Sequence, residues 1–413
     1  MKRLIAILLT LLSGYTVGPI VTPTSTSPEA EQVIAVDPLN PQNVITVVVD
    51  FSLAPPNGLN KYAVSNDGGN TWAESFAPSQ TSDGISWKEN RDPSLAVDTS
   101  GNAYLGGLYE LPVGGHNLIA LPGGVYVCSG TMPTPVFGNC NPVFSSISGT
   151  TTEDSPKIAV DSLTGNLYAT WEHFIDCNGR TCGARYIAFS RSLDHGATWS
   201  PILQINPVTQ TKVTWPQLAI DANGTIYLAY QSGLDSGKFQ HLLTTSLDAG
   251  QTFSTPVALS PIIKPPTFPS IYRKNTAPNI AVTPAGTVYD VYTAQGRGSH
   301  IMLATGGKAI KVDKATVGQR FMPSIAISSN GTINLAWFDT RNYSAVTSFD
   351  VYALYSLDGK TFAPEVQVTT SSGTAGKFIG DYSGMTVDQA GLVHVVWNDG
   401  TKLQTTTLAL TER

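Results

Sequence analysis

The chain has 413 residues and a formal net charge of −6, with 24 Lys and Arg against 30 Asp and Glu. There is no basic stripe and no aromatic-interleaved Lys/Arg run, which argues against nucleic acid as a partner. With 38 Gly, 27 Pro and only 13% charged residues, the composition suits many short strands joined by tight turns, not long helices.

At the N-terminus, Lys2 and Arg3 precede an apolar run from Leu4 to Leu12 that is too short to span a bilayer. This pattern predicts a secretory leader over residues 1–18, with an uncleaved anchor as the alternative. A short segment, 19–31, separates it from a single repeat domain over 32–413. No other stretch is long and apolar enough to cross a membrane, so the expected location is secreted or cell-surface and the expected state is a monomer.

From Val33 onward one pattern recurs: a short apolar strand, a turn rich in Asp, Asn, Ser and Gly, and a second strand ending in an aromatic residue. The copies begin at Val33, Pro93, Pro156, Pro216, Pro278, Pro323 and Ser383. Their terminal aromatics include Trp171, Tyr230, Tyr292, Trp337 and Trp397. A fixed period of this kind marks a repeat architecture in which no unit buries its own apolar face. The expected fold is all-β, a propeller of four-stranded antiparallel blades, seven by this count, with six as the alternative. The last copy ends after a third strand, TKLQTTTLAL, so a strand near Ile20 to Thr26 is expected to complete that blade and remove an unpaired edge.

The four cysteines fall in two local pairs. Cys128 and Cys140 flank one loop and Cys177 and Cys182 another, which predicts two local disulfides and an oxidising compartment. A zinc site is the competing arrangement, but the spacing does not match common zinc motifs. Sequons at Asn223, Asn330 and Asn342 matter only in a host that glycosylates secreted proteins.

The third and fourth strands of several units are joined by S-x-D-x-G-x-T-W. It occurs as SNDGGNTW from Ser65, SLDHGATW from Ser192, SLDAGQTF from Ser246 and the shortened SLDGKTF from Ser356. Its Asp (Asp67, Asp194, Asp248, Asp358) accepts backbone N–H groups across the turn, and its Gly permits the reversal. This pattern resembles the Asp-box, or BNR repeat, of the sialidase superfamily, where it is structural. The resemblance implies a glycoside hydrolase acting on terminal acidic sugars, exo-α-sialidase-like, with a glycan or glycoconjugate as partner. A seventh blade departs from the six of known sialidases.

The residues flanking each repeat lie on the face opposite these turns, where propellers most often bind ligands. There Asn90-Arg91-Asp92-Pro93 stands where the family has its first carboxylate-binding arginine. Arg273 and Arg320 stand where its other two enter, and Tyr382 where its tyrosine nucleophile does. The resemblance therefore implies Arg91, Arg273 and Arg320 as substrate-binding, Tyr382 as nucleophile and Glu172 as its partner. No Asp lies between Asp98 and Asp154, so Asp92, Glu110 or Asp154 must supply the general acid. Arg341, in the run Trp337-x-Asp339-x-Arg341, is either a further ligand arginine or half of a structural ion pair. No metal or cofactor is expected, although Asp92, Asp154, Asp381 and Asp399 would suit Ca²⁺ if they converged. His173 and His195 are isolated, and His195, inside an Asp-box turn, is expected to lie at the surface. The alternative to an enzyme is a non-catalytic propeller that binds glycan or protein, because the fold alone does not select a function.

Overall fold

The computed structural model describes residues 13–52, 58–82, 84–111, 122–146, 150–177, 181–267, 273–296, 298–344, 347–374 and 378–411. Within them the chain is all-β and forms seven antiparallel sheets of four strands in radial order, the sixth with an added two-residue strand, Gly373–Thr374, paired to its third strand. The innermost strands of blades one to seven are Glu29–Val36, Glu89–Val97, Thr152–Val160, Val213–Ile220, Asn279–Val282, Arg320–Ile327 and Gly384–Val387. Each packs against the next, and the seventh returns to the first.

The terminal aromatics of the second strands pack between blades: Trp171, Tyr230, Tyr292, Trp337 and Trp397 are all at most 2% exposed. Such side chains contribute most of the apolar area that holds one blade against the next. The S-x-D turns close the outer hairpins of blades one, three, four and six. The Asp67 carboxylate accepts the N–H of Asn70 (3.0 Å) and of Thr71 (2.8 Å) and the Thr71 hydroxyl (2.6 Å). Asp194 and Asp248 repeat the pattern with Thr198 and Thr252. Blade five, which lacks such a turn, joins its outer strands Gly298–Thr305 and Lys308–Lys311 through Gly306 and Gly307, both at positive φ. In blade two the Cys128–Cys140 disulfide bridges the outer strands at directly opposed positions. The second bridge, Cys177–Cys182, is also formed.

Most inner strands carry a bulge at the same place. The register shifts between Ala30 and Val33, Arg91 and Ser94, Asp154 and Lys157, Thr214 and Gln217, and Phe321 and Ser324. Inside each bulge one residue adopts a left-handed conformation: Glu31, Asp92, Ser155, Trp215 and Met322, with φ between 48° and 61°. A bulge leaves a backbone group outside the ladder, so the proline that follows in four of these strands costs no ladder hydrogen bond.

The ring closes earlier in the chain than expected. The outer strand of blade seven is Tyr15–Val17, paired with Leu408 to Leu410, while Val21 makes only an isolated bridge to Thr405. Ile20–Thr26 is therefore not the closing strand, because Pro19 and Pro23 lack the N–H groups that a continuous ladder needs. Tyr15 anchors the closure. It is 6% exposed, meets the Tyr355 ring edge-on at 5.4 Å and donates its hydroxyl to Asn334 Oδ1 at 2.6 Å. Tyr15→Ala is expected to lower unfolding free energy by about 3 kcal/mol or more, checked by denaturant titration. A loss under about 1 kcal/mol would show that the ring does not depend on this strand.

Candidate functional site

The bulges turn their left-handed residues toward the axis, on the face where the inner strands begin. Glu31, Asp92, Ser155 and Trp215 thereby line one cavity of about 550 Å³, together with Arg91, Asp154, Arg273, Asp381 and Tyr382. Phe51, Phe174 and Phe378 complete its walls. Tyr382 immediately precedes the last repeat, as Asp92 precedes the second, so successive copies contribute equivalent positions.

Carboxyl groups dominate the cavity. Asp92 lies within hydrogen-bond reach of both Glu31 and Asp154. Three carboxyls so close do not all ionise at neutral pH. Burial, then the Asp92 charge, pushes Glu31 well above the ordinary carboxylate range. Burial, Asp92 and Glu172 do the same to Asp154, although its side chain still meets the solvent of the cavity. Burial raises Asp381 only to about 6, opposed by the Arg273 guanidinium 3.3 Å away. Beside them the Lys157 ammonium sits 4.0 Å from the centre of the Tyr382 ring, its nitrogen buried and without a hydrogen-bond partner among the described residues. Burial pulls this lysine down while the surrounding carboxylates oppose that shift. The Tyr382 hydroxyl donates to the Pro93 carbonyl (3.2 Å), and burial together with Glu31 and Asp92 holds the phenol in its neutral form.

The predicted residues divide in two. Arg91, Arg273, Asp92 and Tyr382 meet in the cavity. Arg91, however, is engaged by Glu110 at 2.6 Å, and Arg273 pairs with Asp381 and stacks over Phe378. Glu172 lies behind the wall. Its carboxylate accepts the Trp215 N–H (2.9 Å) and the Thr214 hydroxyl, and its other oxygen meets Arg185 (3.2 Å). It therefore fixes the left-handed Trp215 and is not in position to act on Tyr382.

Arg320 is outside the cavity altogether. It is fully buried between Asp313 and Asp339, each at 3.4 Å, and donates to the carbonyls of Ser299, Gly318 and Val317. Arg341 pairs with Asp339 (2.6 Å) and with Glu365, and stacks on Tyr352, which is the structural ion pair foreseen as one alternative. Asp92, Asp154 and Asp381 do converge, whereas Asp399 caps its own turn through Thr401 and Lys402. Among the described residues no three His, Cys, Asp or Glu side chains are arranged to hold a metal ion.

Glu31 and Lys157 were not anticipated. Glu31 occupies the position of Asp92 in a copy that has Gln32 in place of the proline, so without that marker the copy is read as starting at Val33, one residue late. Lys157 directly follows the Pro156 that marks its own copy, where it looks like the outset of a core strand.

No protein-family model and no curated protein matches the chain. Solved structures do. The α-L-arabinanase of Penicillium chrysogenum, complexed with arabinobiose, is 13% identical with a TM-score of 0.53, over 96% of this chain and 99% of its own. The α-L-arabinofuranosidase arb93a of Fusarium graminearum is 13% identical with a TM-score of 0.51, over 95% and 97%. The Hadza microbial sialidase Hz136 is 17% identical with a TM-score of 0.49, over 88% and 75%. The fold is similar to that of the arabinanase and arabinofuranosidase structures. At these identities the likeness is one of fold, and the cavity has to be argued from its own residues.

The Asp381 shift has a consequence for stability. Its folded-state value of about 6 lies above the model-peptide 3.8, so the ionised form disfavours the native state. The cost is absent below about pH 4 and complete above about pH 7. Relative to Asp381→Asn, the wild type is expected to lose up to about 3 kcal/mol between pH 4 and pH 7. Thermal melts of both proteins across that range check this, and parallel curves would show that Asp381 titrates normally.

Proposed function

We propose that the protein is an extracellular glycoside hydrolase whose axial cavity binds a sugar and cleaves its glycosidic bond with paired carboxyl groups. The observation that carries this reading is Asp92 within hydrogen-bond reach of both Glu31 and Asp154, with Asp381 in the same cavity under a different electrostatic influence. Glycoside hydrolysis needs one carboxyl protonated to assist the leaving oxygen and a second ionised to activate water or attack the anomeric carbon. Neighbouring acids driven to different protonation states supply that pair.

Asp154 is the general acid in this assignment, because it keeps its proton and reaches the solvent of the cavity. Asp381 is ionised at neutral pH and serves as base or nucleophile. Tyr382, kept neutral by its acidic neighbours and tied to the Pro93 carbonyl, forms a wall. Trp215 and the three phenylalanines offer faces against which a sugar ring packs its C–H bonds.

The same charges bear on the substrate. Among the described residues five carboxyls line the cavity, and both of its arginines already face a carboxylate. Arg320, which the resemblance to sialidases made the third carboxylate ligand, is locked elsewhere. A neutral sugar therefore fits this cavity better than a terminal acidic one. The acidic-sugar reading rests on Arg273, whose side chain is 59% exposed and would exchange Asp381 for a substrate carboxylate. Two disulfides accord with an extracellular setting, and among the described residues no helix is long and apolar enough to cross a membrane.

The test is turnover of fluorogenic aryl glycosides, neutral pentosides and hexosides beside a sialoside, by the wild type, Asp154→Asn and Asp381→Asn. Turnover of a neutral glycoside is expected, with kcat at least about 100-fold lower in each variant. The Asp154→Asn deficit should shrink for leaving groups of low pKa, which need little protonation. The kcat/KM profile should rise as pH passes about 6, where Asp381 ionises. Turnover of the sialoside alone would transfer the assignment to the acidic-sugar reading. No turnover by the folded protein would discard catalysis and leave a glycan- or protein-binding propeller.

A further inference from the structure

A second cavity, of about 570 Å³, opens on the opposite face, between the turns of blades two and three. It exists because blade two has no S-x-D turn: the segment between Cys128 and Cys140 takes that place and leaves a groove beside blade three. Among the described residues its wall is built from Asn102, Tyr104, Ser129, Thr131, Thr134, Val136 and His195 and carries no carboxylate, ammonium or guanidinium.

His195 is the unusual member. It occupies the fourth position of its S-x-D-x-G turn with φ 56°, where the other copies have Gly68, Ala249 and Gly359, also at positive φ. A histidine in the left-handed region is disfavoured relative to glycine, so local folding does not call for it. In blade six the equivalent position has no room for a side chain beside the neighbouring tyrosine: a Cβ on Gly359 would meet the Tyr289 hydroxyl at 2.5 Å. Here an imidazole approaches the equivalent Tyr104 of the adjacent blade instead. Gly165 permits it, since a Cβ there would come within 2.3 Å of His195 Cε1.

The hydrogen bonds orient the ring. The Asp98 carboxylate accepts from the Ser100 and Asn102 N–H groups, from Asn102 Nδ2 and from the Tyr104 hydroxyl at 3.2 Å. Tyr104 stays a hydroxyl, because burial and Asp98 raise its pKa. Its proton is committed to Asp98, so its oxygen accepts from His195 Nδ1, 3.3 Å away. In the tautomer that donates through Nδ1, Nε2 is a lone-pair acceptor.

We propose that this cavity is a binding site for a neutral saccharide, with His195 Nε2 accepting a sugar hydroxyl. The absence of charged lining disfavours ions, which would shed water without a counter-charge. Hydroxyl and amide groups of Asn102, Ser129, Thr131 and Thr134 match the mixed donors and acceptors of a polyol. Val136, 80% exposed, supplies an apolar face for the ring. The site lies across the molecule from the axial carboxyls and does not depend on their being catalytic.

The test is affinity electrophoresis of the full chain in gels containing soluble arabinan, xylan, mannan or β-glucan, comparing the wild type, His195→Gly and Asp154→Asn. His195→Gly removes the imidazole while relieving the positive φ, so the variant is expected to fold at least as well as the wild type. At least one polysaccharide should retard the wild type and Asp154→Asn equally, with apparent affinity about tenfold or more weaker in His195→Gly. No retardation by any of the four, retention of full affinity in His195→Gly, or loss confined to Asp154→Asn would each overturn the proposal. Since binding is read without turnover, failure here is distinct from failure of the axial hydrolase assignment.

Discussion

A one-residue bulge in the innermost strand is the constraint on which most of this molecule depends. In a regular strand the residues before each proline would alternate between sheet faces. The bulge breaks that alternation at the same point in at least five blades and turns one side chain of each toward the axis. The left-handed conformation this requires is unfavourable for Glu, Asp, Ser, Trp and Met. It persists because the flanking ladder and the inter-blade packing hold it, as expected where backbone strain serves a site. Glu172, accepting the Trp215 N–H, shows one such hold in side-chain terms.

Concentrating carboxyls at the axis has an electrostatic cost, and the structure distributes it unevenly. Asp92 lies between Glu31 and Asp154, which keep their protons, while Asp381 has Arg273 beside it and ionises more readily. Lys157 adds a positive charge beside the cluster and faces the Tyr382 ring where an acceptor would otherwise be needed. One repeated backbone geometry thus gives chemically distinct positions, since each blade places a different residue in the same local frame.

The two faces use opposite solutions. The axial mouth gathers charge within low-dielectric walls, whereas the turn face satisfies each carboxylate locally. Hydrogen bonds from Thr71 and Ser65 hold Asp67 near pKa 2, and those from Thr198 and Ser192 hold Asp194 there as well. Such acids are spent on turn geometry and are not open to ligands. Chemistry on that face falls to the exception, His195, which does not serve the turn that carries it.

The sequence by itself determined the all-β class, the seven units, the S-x-D turns and both disulfides. Each of these is encoded locally, in a hydrophobic period, a turn signature or a pair of cysteines at most twelve residues apart. Arg91, Asp92, Arg273 and Tyr382 were legible as rim residues for the same reason: they sit next to the repeat that places them. Only the tertiary structure decided which rim residues meet. Arg320 belongs to the same rim pattern, yet Asp313 and Asp339 draw it into the protein interior. Glu31 enters the cavity although its copy lacks the marking proline. The closing strand Tyr15–Val17 pairs with Leu408 to Leu410 at the far end of the chain. Such outcomes depend on ion pairing across blades and on ladder register between distant segments, and neither is written in a local period of side chains.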